Sequence, residues 1–166
     1  MATINAIDLP DNALLQRYRR NGSYTDCYCM DVPRSIALPE YVTAFYTTSL
    51  FKVERTMLAW AVGKPSTDLA AQDLAHGREV AFAAWRAEER SGHQLLLCDF
   101  LGRTRSWLMV EPQESSTRLY FGSAVVPKSK SASGVTSFGF AFHALHGFHH
   151  LYTKALMKAA HVKLNN

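Results

Sequence analysis

The chain has 166 residues, 48% of them hydrophobic and 19% charged, with a net charge of +4. That balance excludes a disordered or fibrous chain and suits one folded domain spanning 1–166 around an apolar core. The basic residues are scattered, from Arg17, Arg19 and Arg20 through Lys128 and Lys130 to Lys154, Lys158 and Lys163, and not gathered with interleaved aromatics, which argues against a nucleic-acid partner.

The opening "MATINAIDLP" lacks the basic and apolar blocks of a secretory signal, and no run of about 18 apolar residues is present for a membrane span. Leu14, Leu15 and Tyr18 fall at helical spacing after Pro10, so a short helix is expected there, closed by the Asn21-Gly22 turn. "SYTDCYCMDV" alternates like a strand and stops at Pro33. Cys27 and Cys29 share one face of it; with Cys98 they make an odd number, a poor disulfide framework. Small buried thiols in a cytoplasmic protein are the expectation.

Pro39 and Glu40 mark a helix start, since proline suits the first turn and an acid suits the positive end of the dipole. Tyr41, Val42 and Phe45 share its apolar side. A second helix carries Leu50, Val53, Met57, Leu58 and Ala61 at a spacing of three to four and ends at Gly63 and Pro65. "STDLAAQDLAHG" reads as a third, capped by Ser66 or Thr67 and closed by Gly77.

The period then changes. "REVAFAAWRAEER", "HQLLLCDF", "TRSWLMVEP" and "TRLYFGSAVVP" are strand-like, with short turn-rich breaks, so an antiparallel meander follows and the strand-like runs number five in all. Within them Ala83, Trp85 and Ala87 share a face, as do Arg105, Trp107 and Met109. Both tryptophans are candidates for a pocket wall or for plain core packing, and Asp99 and Arg105 for a cross-strand pair, either a surface ion pair or, if it faces the cavity, a holder for a polar ligand head. "PKSKSASG" is a polar loop.

From there helical spacing runs to about Val162. Phe138, Phe142, Leu145, His149, Tyr152, Leu156 and Ala160 form the stripe expected against the sheet. His143, His146 and His150, with Met157 and His161, fall on another face. Their spacing could suit a metal, but the helix supplies no acid and no further ligand, so a solvated histidine face without metal is expected. His149, inside the stripe, is either a hydrogen-bonded core histidine or a polar group on a cavity wall.

The order of strand, two or three helices, meander and long terminal helix predicts an α+β fold, a curved antiparallel sheet gripping the last helix. With "YVTAFYTTSLFKVERTMLAW", "LLLCDFLGRTRSWLMVEP" and "GFHHLYTKALMKAA", which lie within residues 41–160, this order resembles the START-like (SRPBCC, helix-grip) superfamily, more narrowly a bacterial branch of it. The resemblance implies an internal cavity for a hydrophobic, lipid- or polyketide-like molecule and no cofactor. Candidate ligand contacts are His149, Trp85, Trp107, Asp99, Arg105, Tyr152, Phe142 and Leu145. Two other readings stand beside it: a cyclase or hydratase using His149 with Asp99 or Tyr152 as proton carriers, and an interaction module with a basic surface.

Overall fold

The computed structural model describes residues 3–127 and 140–165, with the backbone alone at residues 58, 61, 62 and 140–149. The chain begins with a two-residue strand β1 (Asn5–Ala6), a short helix α1 (Gln16–Arg20) and the long strand β2 (Tyr24–Val32). Three helices follow: α2 (Leu38–Tyr46), α3 (Ser49–Val62) and α4 (Asp68–Ala75). The meander comprises β3 (Ala81–Phe82), β4 (Trp85–Arg90), β5 (Gln94–Asp99), β6 (Thr104–Pro112) and β7 (Thr117–Val125), and α5 (Phe140–Leu164) comes last. The strands make one curved, open antiparallel sheet in the order β1-β2-β7-β6-β5-β4-β3, so the first long strand sits beside the last. This is the expected α+β fold.

The local signals act as read. Pro39 and Glu40 occupy the first turn of α2. Thr67 caps α4 by accepting the Ala70 amide, and Thr48 caps α3 by accepting that of Phe51. The sheet has seven strands where the sequence shows five. β1 is too short to display an alternation. The run at 78–90 is broken at Ala83, whose φ of 51° turns the chain into a two-residue hairpin loop between Phe82 and Trp85. Such loops ordinarily announce themselves with glycine or asparagine; alanine gives no warning.

Both faces of the sheet are buried. Tyr28, Met30, Leu95, Leu97, Leu108, Leu119 and Phe121 pack on the inner face beneath α2, α4 and α5. On the outer face lie Cys27, Cys29, Leu96, Trp107, Met109 and Tyr120, covered by Leu9, Ala13 and Leu15. Cys27 and Cys29 are the small apolar side chains expected, and burial pushes the Cys27 thiol up to about 12. Trp107, 0% exposed, anchors this face. Its Nε1 donates to Gln94 Oε1 at 2.9 Å; that oxygen also accepts the Leu14 amide at 2.9 Å, and Gln94 Nε2 donates to the Asn12 carbonyl at 3.0 Å. The indole lies over Gly122. A Cβ there would stand 2.9 Å from the ring, 2.8 Å from the Asp26 carbonyl and 3.0 Å from Leu15.

A bulge shifts the β4–β5 register between Ala87 and Glu89. The extra residue leaves Glu88 and Glu89 directed to Arg17, Tyr18 and Arg105. It turns Arg90 to the inner face, where the guanidinium donates to the Leu74 carbonyl and, at 3.0 Å, to that of Ala75. A cation thereby closes the negative end of α4.

Two helices are rotated from their expected phase. In α3 the buried side carries Phe51 and Arg55, while Val53 is 59%, Met57 67% and Trp60 88% exposed. The side chains of Leu58 and Ala61 lie outside the described residues. In α5 Leu156 and Ala160 are buried as expected and Tyr152 is half-buried, but Thr153 and Met157 are buried with them. His150, expected on a solvated face, is half-buried edge-on against Tyr28, with ring centroids 5.5 Å apart. The inward stripe is thus turned by about one residue, with α5 packed chiefly against α2 and α3. Phe138 and most of the 127–134 loop, like the side chains of Phe142, His143, Leu145, His146 and His149, lie outside the described residues.

Gly122→Ala is expected to destabilise the fold by about 1–3 kcal/mol, since the methyl overpacks against backbone and an immobile indole. Ala83→Gly is expected to stabilise it by up to about 1 kcal/mol, the relief of a left-handed alanine exceeding the entropy of glycine. Urea denaturation of both variants checks these values; a Gly122→Ala protein as stable as the wild type would contradict the packing account.

Candidate functional site

The helices do not close completely on the inner face. Between it and α2, α3 and α5 lies a cavity of about 420 Å³. Its walls are mainly apolar and rich in aromatic rings. Phe45 and Tyr46 enter from α2, Phe51 from α3, Trp85 and Phe121 from the sheet, and Leu156 from α5. Phe45 stacks on Phe121 with centroids 4.9 Å apart and planes at 17°, a pillar from α2 to the sheet. Tyr46 meets Phe51 edge-on at 4.9 Å, and Phe51 stacks on Phe82 at 6.2 Å. These rings are rigid and hold one another in place, so the hollow beside them cannot collapse without breaking several contacts.

Polar groups in the wall are few. The Tyr46 hydroxyl hydrogen-bonds Ser106 Oγ at 2.8 Å, and burial holds its phenol far above the ordinary value. Ser123 Oγ lies 2.8 Å from Asp26 Oδ1, which also accepts the Ser123 amide at 2.8 Å. Tyr24 stands at one end, its phenol pushed up to about 12 by burial and by Asp26. Tyr152 on α5 donates to Glu54 Oε2 on α3, and burial, then this carboxylate, raises its phenol well above the ordinary range.

Arg55 fixes which way α3 faces. Its guanidinium donates to Asp68 Oδ1 at 2.8 Å, to the Ser66 carbonyl at 3.1 Å and to the Tyr46 carbonyl at 3.4 Å, and it lies over the Phe82 ring. With Arg55 bracketing α4 and the end of α2, the preceding residue, Glu54, is presented to the cavity. Lys52 reaches Asp68 at 2.6 Å. The Lys52 ammonium, with Arg55 beside it, holds the Asp68 carboxyl below its ordinary value.

Of the residues expected from sequence, Trp85 and Tyr152 line the cavity. Trp107 does not share a wall with Trp85. It lies on the outer face, because the two residues have opposite parity in their strands. Arg105 contributes to the rim from its strand, but its guanidinium turns to the outer face, where Nε lies 2.7 Å from both Tyr18 Oη and Glu88 Oε2. The Asp99–Arg105 pair is not formed. Asp99 Oδ1 instead accepts the amides of Arg103 at 2.7 Å and Thr104 at 3.0 Å, the ordinary work of an aspartate in a turn. His149, Phe142 and Leu145 belong to α5, their side chains outside the described residues.

Sequence reading missed Glu54, Phe45, Phe51 and Phe121. Phe45 was legible as apolar helix face, but nothing local distinguishes a cavity wall from a packed core. Glu54 carries no signal at all, since a lone acid on a helix is ordinarily solvated. A second, more open hollow of about 510 Å³ runs between α2, α4 and the end of α5, past Glu40, His76 and Lys163. Among the described residues no group of three or more His, Cys, Asp or Glu side chains could share a metal ion, and no helix is long and apolar enough to cross a membrane.

Comparison of the chain with protein-family models, with curated proteins and with solved structures gave no match.

Asp68 supplies a pH test of the bracket. A carboxyl depressed in the folded state contributes stability above its unfolded value, and that contribution is lost as pH falls through the folded one. Wild-type stability is therefore expected to decline more steeply than that of Asp68→Asn once pH drops below about 4. Urea midpoints measured across that window check it; parallel curves would remove Asp68 from the account.

Proposed function

We propose that the protein binds a hydrophobic small molecule in the cavity under α3 and α5, and that it is a member of the START-like (helix-grip) superfamily. The observation that carries this reading is the cavity itself. Its roughly 420 Å³ falls within the range that holds a drug-sized ligand, and its wall combines aromatic rings with a few placed polar groups. An unfilled hollow of that size forfeits packing that the same side chains could have made with one another, so a fold that props it open with the Phe45–Phe121 stack is built to have it filled. The strand–helices–meander–helix order supports the superfamily assignment, with the cavity where a helix gripped by a curved sheet would place it.

Binding without turnover is the better reading of the two that share this scaffold. The enzyme reading set His149 beside Asp99 or Tyr152 as proton carriers; Asp99 is occupied by two backbone amides at a hairpin turn outside the cavity wall, and Tyr152, which lines the cavity, has its phenol held protonated by burial and by Glu54. The interaction-module reading called for an exposed apolar or basic patch and no internal cavity; Val53, Met57 and Trp60 are exposed on α3, but the cavity speaks for ligand binding.

The neutral aromatic hydrocarbon 1-methylnaphthalene is expected to bind the purified protein saturably, and Leu156→Trp, which projects an indole into the hollow, to weaken it at least about tenfold. Chemical-shift titration reports both the affinity and whether shifts cluster on the cavity wall. Absence of saturable binding by a folded wild-type protein would end this reading.

A further inference from the structure

We propose that the outer side of α3 and α5 is a docking face for the surface of an anionic lipid bilayer, with Trp60 as its anchor. Val53, Met57 and Trp60 recur at helical spacing along the side of α3 opposite Phe51 and Arg55, and they are 59%, 67% and 88% exposed. α5, tied to α3 by the Tyr152–Glu54 hydrogen bond, continues the face. Leu151 and Val162, both exposed, stand about three turns apart on one line of α5, turned away from the buried Leu156, Met157 and Ala160. Single apolar side chains scattered on a surface are ordinary. A row of three along one helix, one of them an almost fully exposed indole, with two more on the adjoining helix, marks a surface that meets something apolar.

The charges on this face choose the occupant. Residues 140–164 contain no Asp or Glu. Lys154 and Lys158 are exposed on α5, Lys158 in line with Leu151 and Val162, and Lys64 is exposed just beyond the end of α3. The nearby acids are turned elsewhere, Glu54 to Tyr152 and Asp68 to Lys52 and Arg55. A second copy seated face to face would set these lysines against their own kind. Anionic headgroups answer them, while the apolar residues enter the acyl boundary beneath. An indole suits that depth, being apolar in body with one N–H for the headgroup layer. Lysine stems lie along apolar surface while their ammonium groups stay in water. At 14 residues α3 is shorter than the roughly 20 that a span requires, so it lies on the bilayer and not across it.

Docking does not depend on what the cavity holds. The inner side of α3 carries Phe51 and Glu54 into the cavity wall, so the face sets that wall against the phase in which apolar molecules dissolve.

The test is co-sedimentation of the full chain with vesicles of phosphatidylcholine alone and of phosphatidylcholine mixed with phosphatidylserine. Wild-type protein is expected to bind the anionic vesicles at least about tenfold tighter than the neutral ones, and less tightly as salt rises. Trp60→Ser and, separately, Lys154→Glu with Lys158→Glu are each expected to weaken that binding at least about tenfold. All three positions are exposed, so the variants keep the fold, which circular dichroism checks. Brominated phosphatidylcholine in the anionic vesicles is expected to quench wild-type fluorescence and to quench Trp60→Ser far less, since Trp107 is buried and Trp85 lies in the cavity wall. No binding of folded wild-type protein to anionic vesicles, equal binding to both kinds, or binding that Trp60→Ser leaves unchanged overturns the inference. Concentration-dependent dimerisation broken by Trp60→Ser, with no vesicle bound, also overturns it and gives the face to a second copy. The cavity reading is decided separately, by the hydrocarbon titration.

Discussion

The seating of Trp107 on Gly122 is the contact on which the rest of the architecture depends. A sheet with apolar residues on both faces must cover both. Helices α2 to α5 are needed on the inner face, so the outer one falls to the N-terminal segment with its short helix α1, too little to make a layer of its own. It is held because Gln94 uses one side chain to satisfy the indole of Trp107, the amide of Leu14 and the carbonyl of Asn12. The indole can lie flat against the sheet only where the neighbouring strand has no side chain, and Gly122 provides that position. With Leu15 and Leu9 pressed onto the same patch, the outer face is sealed and the inner face is left to the helices.

On that inner face the arrangement of α2, α3 and α5 is set by a few directional contacts more than by general apolar packing. The Phe45–Phe121 stack holds α2 at a fixed height above the sheet. Arg55 ties α3 to α4 and to the end of α2, and the Tyr152–Glu54 hydrogen bond ties α5 to α3. Arg90, turned inward by the β4 bulge, secures the last carbonyls of α4 to the sheet. The first and last of these span from helix to sheet and the other two brace helix against helix, and together they hold the layers apart at one end. The cavity is what remains between the spans. Its chemistry follows from them, since the groups that brace it, tyrosine hydroxyls and one carboxylate, are also its polar wall.

The fate of particular residues shows how far sequence reaches. Pro39, Thr67 and Gly63 mark helix ends through local backbone chemistry, which needs no tertiary partner, and they mark them where expected. Strand parity is equally local: Cys27 with Cys29, Leu95 with Leu97 and Arg105 with Trp107 share faces as alternation requires. Ala83 escaped notice because a left-handed residue in a hairpin is ordinarily a glycine, and here the surrounding strands impose the conformation on an alanine. Val53 and Met57 repeat at helical spacing yet face outward, since a period says that one side is apolar and not which side meets the core.

By itself, then, the sequence determined the α+β class, the order of elements, most of their ends and the alternation within each long strand, because these depend on interactions among residues close along the chain. Which face of each strand looks inward, and so that Trp85 meets the cavity while Trp107 meets the N-terminal segment, was decided only when β2 paired with β7 and the helices chose a side. The same is true of the bulge that redirects Arg90, of His150 turning to Tyr28, and of the meeting of Glu54 with Tyr152 across 98 positions of sequence. A contact between distant residues leaves no local trace in either partner, since each is an ordinary surface residue until the fold places the other beside it.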